Sequence, residues 1–170
     1  TGIDIAEHPT EKDNEGNPLW IPSMIFGELL TSGNYKTDEK KIVGGKNGYG
    51  AKLTNIFSKE FEIKTVDHIR KKKYVQEFKN NLEEPFSSPT ITKCTNKPYT
   101  KISFKPDYKR LGIDTLTSDL IDLFKRRIYD IAAVTDKTIK VKCNGDLVPV
   151  NTFQNYIDLY IDLLPSYYLR

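Results

Sequence analysis

Four glycines crowd into nine residues at Gly44–Lys52, GGKNGYGAK, and an apolar run with Leu53, Ile56 and Phe57 follows at once. Glycine has no Cβ, so it reaches positive φ and lets another molecule come close to the backbone. The chain must therefore turn sharply here and then start a helix. Backbone N–H groups at a helix start are unpaired and carry partial positive charge, which suits phosphate. Lys46 or Lys52 can add a full charge. Taken alone, the same pattern also fits an ordinary Gly-rich surface turn. It is not a P-loop, because no Gly-Lys-Ser/Thr closes it. No hydrophobic strand leads into it from Thr31–Lys41, which separates it from a dinucleotide fingerprint.

The chain of 170 residues has the size of one domain, with room for a sizeable core. Its 38% hydrophobic and 29% charged residues fit a globular protein rather than a disordered one. A net charge of +3 permits a nucleotide or nucleic-acid partner without requiring one. Cys94 and Cys143 are too few for a disulfide framework, and reduced structural thiols are expected. His8 and His68 lie far from any ligand spacing, so no metal site is expected within the chain. No apolar run approaches the ~20 residues a membrane span needs.

Along the chain, Thr10–Pro18 reads as an exposed turn or hairpin tip. Ile21–Leu30 has helical apolar spacing with Pro22 near its start. Thr31–Lys41 is polar and reads as a lid loop. Phe61–Val66 and Lys73–Lys79 alternate about Asp67-His68, an antiparallel hairpin. Asn80–Tyr99 reads as loop, and Thr100–Phe104 as a strand ending at Pro106. Ser118–Val134 predicts a helix with Leu120, Ile121, Phe124, Ile128 and Ile131 on a broad apolar face, capped by Thr117 or Ser118. Asn144-Gly145 is a strong hairpin signal between Thr138–Cys143 and Leu147–Val150. Asn151–Leu164 predicts a second amphipathic helix. This order implies an α+β two-layer sandwich, a mixed sheet with helices on one face.

Ile21–Ser58 reads IPSMIFGELLTSGNYKTDEKKIVGGKNGYGAKLTNIFS. With the later KISFKPD and RRIYDIAAVT, it closely resembles the ATP-binding segment of type IIA (eukaryotic-type) DNA topoisomerases, members of the GHKL or Bergerat-fold ATPases. The pieces keep the family's order and similar spacing, and the likeness covers nearly the whole chain. The resemblance implies that residues 1–170 are one partial ATPase domain, incomplete at its N-terminus. It would run from a glycine box at Gly2-Ile3 through the ATP lid to near the transducer boundary.

By the same resemblance, Ser32, Gly33 and Asn34 contact ribose and phosphates, Gly33 through backbone only because the family commonly has serine there. Gly45, Lys46, Asn47, Gly48, Tyr49, Gly50, Ala51 and Lys52 form the phosphate cradle. Lys46 replaces a common arginine and keeps a point charge without the bidentate fork. Tyr49 either reaches the sugar or fills space beside the glycines. Ile3, Ile25 and Phe26 match adenine-lining positions, and Ser103 matches a hydroxyl that reads the adenine edge. Without the resemblance, the three apolar residues would read as plain core and Ser103 as an ordinary strand residue.

The resemblance also places the general-base glutamate, the Mg²⁺-binding asparagine and the polar adenine reader upstream of Thr1, and a γ-phosphate lysine beyond Arg170. No catalytic or metal residue is therefore assigned in the chain, and a fragment of a larger protein is expected, inactive by itself. ATP with Mg²⁺, DNA bound through other domains, and a homodimer are the implied partners. Location would be nuclear in a cellular eukaryote, or host cytoplasm or virion for a large DNA virus. The alternatives are another GHKL ATPase, of chaperone or mismatch-repair type, and a non-catalytic nucleic-acid-binding module. The basic run His68–Lys73 lacks the interleaved aromatics the latter would want.

Overall fold

A computed structural model describes residues 2–13, 15–29, 31, 45, 47–83 and 86–161. It divides into two compact units, residues 1–112 and 113–170. The lid Thr31–Lys41, apart from Thr31, lies outside the described residues.

In the first unit, β1 (Glu7–Lys12) and β2 (Pro18–Trp20) form an antiparallel ribbon. Asp13 makes its turn: its carboxylate accepts the N–H groups of Glu15 and Asn17, at 3.0 and 2.8 Å. That Asx turn matches the expected tip. Helix α1 (Ile21–Gly27) follows directly, with Pro22 in its first turn. It is shorter than the periodicity through Leu30 suggests. Helix α2 (Tyr49–Ile56) begins inside the glycine-rich loop.

Four strands make the main sheet: β3 (Ser58–Asp67), β4 (Lys72–Lys79), β5 (Thr90–Lys93) and β6 (Tyr99–Pro106), in the order β5-β4-β3-β6. Every pairing in it is antiparallel, where a mixed sheet was expected. Strand β5 lies within the segment expected to be loop. Its four residues pair only with β4, from Lys72↔Lys93 to Val75↔Thr90. Alternation along β3 puts Phe61 and Ile63 on one face, opposite Phe78 and Gln76 of β4. Helix α1 covers that face. Ile5, Phe26, Phe61, Ile63, Tyr74 and Phe78 form the core, and the Phe26 and Phe61 rings lie 5.8 Å apart.

The second unit contains α3 (Ser118–Val134), the short pair β7 (Lys142–Cys143) and β8 (Asp146–Leu147), and α4 (Phe153–Ile161). The Thr117 hydroxyl accepts the Leu120 N–H at 3.3 Å and caps α3. Asn144 and Gly145 both have positive φ, 52° and 96°, as the tight turn demands. Only part of the expected apolar face of α3 packs within this unit, where Ile128 lies against its core. Phe124 is 50% and Ile131 55% exposed, while Ala132 and Ala133 pack with Val148 and Val150. Small alanines let Val148, Val150 and Cys143 of β7 pack closely on the helix. The whole is an α+β fold, and among the described residues no helix is long and apolar enough to cross a membrane.

Candidate functional site

The glycine-rich loop delivers what its composition requires. Gly48 is the N-cap of α2 and takes the left-handed conformation, φ 69° and ψ 19°, where a side chain would be strained. Among the described residues, no side-chain cap bond is made at the Gly48 N-cap and no acidic residue stands in the first turn of the helix. The N-terminal end of α2 therefore keeps its partial positive charge toward solvent. Gly45, Asn47, Gly48, Tyr49, Gly50 and Ala51 are all exposed there. Among the described residues, a Cβ added at Gly45 or Gly50 would meet no atom within 4 Å beyond its chain neighbours and, for Gly50, the turn of its own helix. Tyr49 is not buried beside the glycines, which leaves its ring available.

Lys52 differs from the rest of the loop. It is only 3% exposed, and its ammonium donates to the Gly48 carbonyl at 3.3 Å. Burial pushes its pKa down, and the charge of Glu28 at the end of α1 partly offsets that. A positive charge is thus stored under the helix start, one turn from the exposed N–H groups. Ser32, Gly33, Asn34 and Lys46 lie outside the described residues.

Ile3, Ile25 and Phe26 come together on the core face of the sheet. Phe26 is buried in the core, and Ile3 and Ile25 pack at its rim. Ser103 does not join them. It stands opposite Glu62, on the other face of the sheet from Phe61 and Ile63. The β6 hydroxyl on the core face is that of Thr100. It lies 3.0 Å from the Thr65 hydroxyl, which accepts the Ile3 N–H at 2.9 Å and donates to the Tyr99 carbonyl at 3.1 Å. Sequence reasoning missed this threonine pair, because only the register across two strands brings Thr65 and Thr100 together.

Two members of the basic run are engaged within the fold. Arg70 pairs with Asp67 at 2.8 Å and Asp4 at 3.3 Å, and the Lys72 ammonium sits 5.5 Å from the Trp20 ring centre. That weakens a nucleic-acid reading of residues 68–73. Among the described residues, no group of three or more His, Cys, Asp or Glu side chains is assembled to hold a metal.

No family model matches the chain. It is 50% identical over 161 residues to DNA topoisomerase 2 of Arabidopsis thaliana, covering 94% of this chain and 10% of that protein. It is 48% identical over 159 residues to DNA topoisomerase 2 of Acanthamoeba polyphaga mimivirus, covering 94% of this chain and 12% of that one. The fold superposes on the ATPase region of Saccharomyces cerevisiae topoisomerase II with a TM-score of 0.85 at 45% identity, over 96% of this chain and 41% of that structure. For the ATPase and transducer domains of the Balamuthia mandrillaris enzyme the TM-score is 0.83 at 40% identity, over 95% and 40%. The chain thus spans only 10% to 12% of the length of these curated relatives.

Proposed function

We propose that this chain, homologous to a segment of the ATPase region of type II DNA topoisomerases, is the phosphate-cradle and lid portion of the ATP site in such an enzyme. The observation that carries the reading is the start of α2: a left-handed glycine cap, no side-chain cap, open space at Gly45 and Gly50, and a buried lysine beneath. These features suit the phosphates of a nucleotide. Ser32, Gly33, Asn34, Lys46 and Asn47 complete the cradle in this reading, and Ile3, Ile25 and Phe26 the adenine wall. We assign the adenine-side hydroxyl to Thr100 rather than Ser103, because Thr100 shares a face with that wall.

ATP supplies a transferable phosphoryl group. This chain's part is to bind and orient it, with the N–H groups of α2 facing its negative charge and the Lys52 ammonium adding positive charge from beneath. Mg²⁺ and the general base belong to residues outside the chain. Residues 1–170 form part of one ATPase domain, whose ATP-driven closure joins two copies of the protein while DNA is cut and passed by other domains. Cellular and viral relatives both fit, so the place of action is the nucleus in a cellular eukaryote, or the host cytoplasm or virion for a virus.

The test is binding of a non-hydrolysable ATP analogue to the full-length protein carrying Gly48→Val. A β-branched residue at φ 69° distorts the cap and blocks backbone approach, so binding should be lost. Unchanged binding would overturn the reading. Purified residues 1–170 should show no ATPase activity above background, and robust Mg²⁺-dependent turnover by that piece would misplace the catalytic groups.

A further inference from the structure

The segment Gly2–Ile5 carries Ile3 of the adenine wall but belongs to no strand or helix. Side chains of β3 hold it instead. The Thr65 hydroxyl accepts the Ile3 N–H at 2.9 Å, and Asp67 Oδ2 accepts the Ile5 N–H at 3.1 Å. The spacing repeats: residues 3 and 5 of the segment meet residues 65 and 67 of the strand, two apart on each side. A strand's side chains thus take the place of a neighbouring strand's carbonyls. Gly2 fits directly against the Val66 carbonyl, with no room for a Cβ.

Asp67 is the centre of this clamp. Its buried carboxylate also accepts the N–H groups of Ile69 and Arg70, each at 3.0 Å, and the Arg70 guanidinium at 2.8 Å. Arg70 reaches on to Asp4 at 3.3 Å, so the guanidinium ties the middle of the segment to the same carboxylate. These contacts converge on residues 3 to 5 and the turn after β3. None of them touches the phosphate cradle.

We infer that Asp67, through the Ile5 N–H and the Arg70–Asp4 latch, is the positioning residue that sets the adenine wall at Ile3. The inference rests on the ATP-site reading above and adds a division of labour to it. The base-binding wall is fixed by Asp67 and Arg70, and the phosphate cradle by the start of α2. A change at Asp67 should weaken recognition of the base while leaving recognition of phosphate alone.

The experiment measures, in the full-length protein, affinity for a non-hydrolysable ATP analogue and for inorganic tripolyphosphate. Wild-type protein must bind both, and failure to bind the analogue would overturn the ATP-site reading itself. Asp67→Ala should weaken analogue binding by about tenfold, the scale of losing charged hydrogen bonds that position a contact. Tripolyphosphate affinity should stay within about twofold, the spread expected for an unlinked site. Arg70→Gln keeps the Ile5 bond to Asp67 but releases Asp4, and should give a smaller loss in the same direction. Asp67→Asn, which retains an acceptor for the Ile5 N–H, should recover part of the loss. Equal losses for both ligands, or none for either in Asp67→Ala and Arg70→Gln, would overturn the inference.

Discussion

The side-chain amide of Asn55 donates to the main-chain carbonyl of Phe26 across 3.0 Å, at a point where Asn55 is 1% exposed. This one bond joins α2, which starts in the glycine-rich loop, to α1, which carries the apolar wall. Asn55→Ala would leave the Phe26 carbonyl buried without that partner. The expected loss is about 1–3 kcal/mol of stability, the cost of an unsatisfied buried polar group. Urea denaturation of the variant checks it, with the slope unchanged and the midpoint lowered.

Gly50 separates ligand contact from backbone strain. It lies in the first turn of α2, and an added methyl would meet no atom of the described residues beyond its own helix turn. Gly50→Ala should therefore be neutral or stabilising by up to about 1 kcal/mol, the helix preference of alanine over glycine. Analogue binding should fall nevertheless, because the methyl occupies the approach to the cradle. Paired thermal unfolding and calorimetric titration would read both effects. A variant that is more stable and binds as well as wild type would place the ligand elsewhere.

Lys52→Met gives the same separation for charge. Burying an ammonium costs solvation that methionine does not require, so stability should hold within about 1 kcal/mol or rise. Nucleotide affinity should drop by about ten- to a hundredfold, the worth of a charge-assisted contact. The first measurement guards the second, since an unfolded variant would lose both.

Tyr156 and Asp130 make a pH-dependent pair in the second unit. The phenol donates to the carboxylate at 2.5 Å. That bond holds the Asp130 carboxyl below its usual range, with burial opposing and Arg127 assisting. The same bond, with the neighbouring Tyr160, pushes Tyr156 up to about 12. A lowered carboxyl contributes stability that is present above its unfolded value of about 3.9 and lost as pH falls through the folded one. A raised phenol contributes stability that is full below about pH 10 and lost as pH rises toward the folded value. Tyr156→Phe should therefore be less stable at neutral pH and flatten both limbs of the stability profile. Unfolding midpoints between acid and alkaline pH test it, and unchanged limbs would contradict the pairing.

Local chemistry was legible where one residue type answers one geometric demand. Asn144-Gly145 turns because both residues accept positive φ, and Thr117 caps because its oxygen reaches Leu120. The glycines of 45–50 marked an open loop before a helix for the same reason. Illegible were features decided by a partner. Strand β5 exists because β4 offers it an edge, and TITK between prolines carries little signal of its own. Ser103 and Thr100 sit on one strand with opposite faces, and only the Phe61↔Phe104 register says which face meets Ile3. On α3 the large residues dominated the pattern, whereas the residues fully buried within its unit are the small Ala132 and Ala133, with Ile128 and Tyr129 packed beside them. The Asp67 clamp joins residues more than sixty positions apart, beyond any local pattern.

The contact at Gly2 has a consequence for how this sequence can vary. A Cβ there would lie 1.9 Å from the Val66 carbonyl oxygen, a backbone atom that cannot step aside as a flexible side chain would. In a saturation library, then, position 2 should return a single letter, with even alanine purged. Sorting on folded protein and sorting on nucleotide capture should select the same residue at that codon. At Gly50 the two sorts should diverge, alanine passing the first and failing the second.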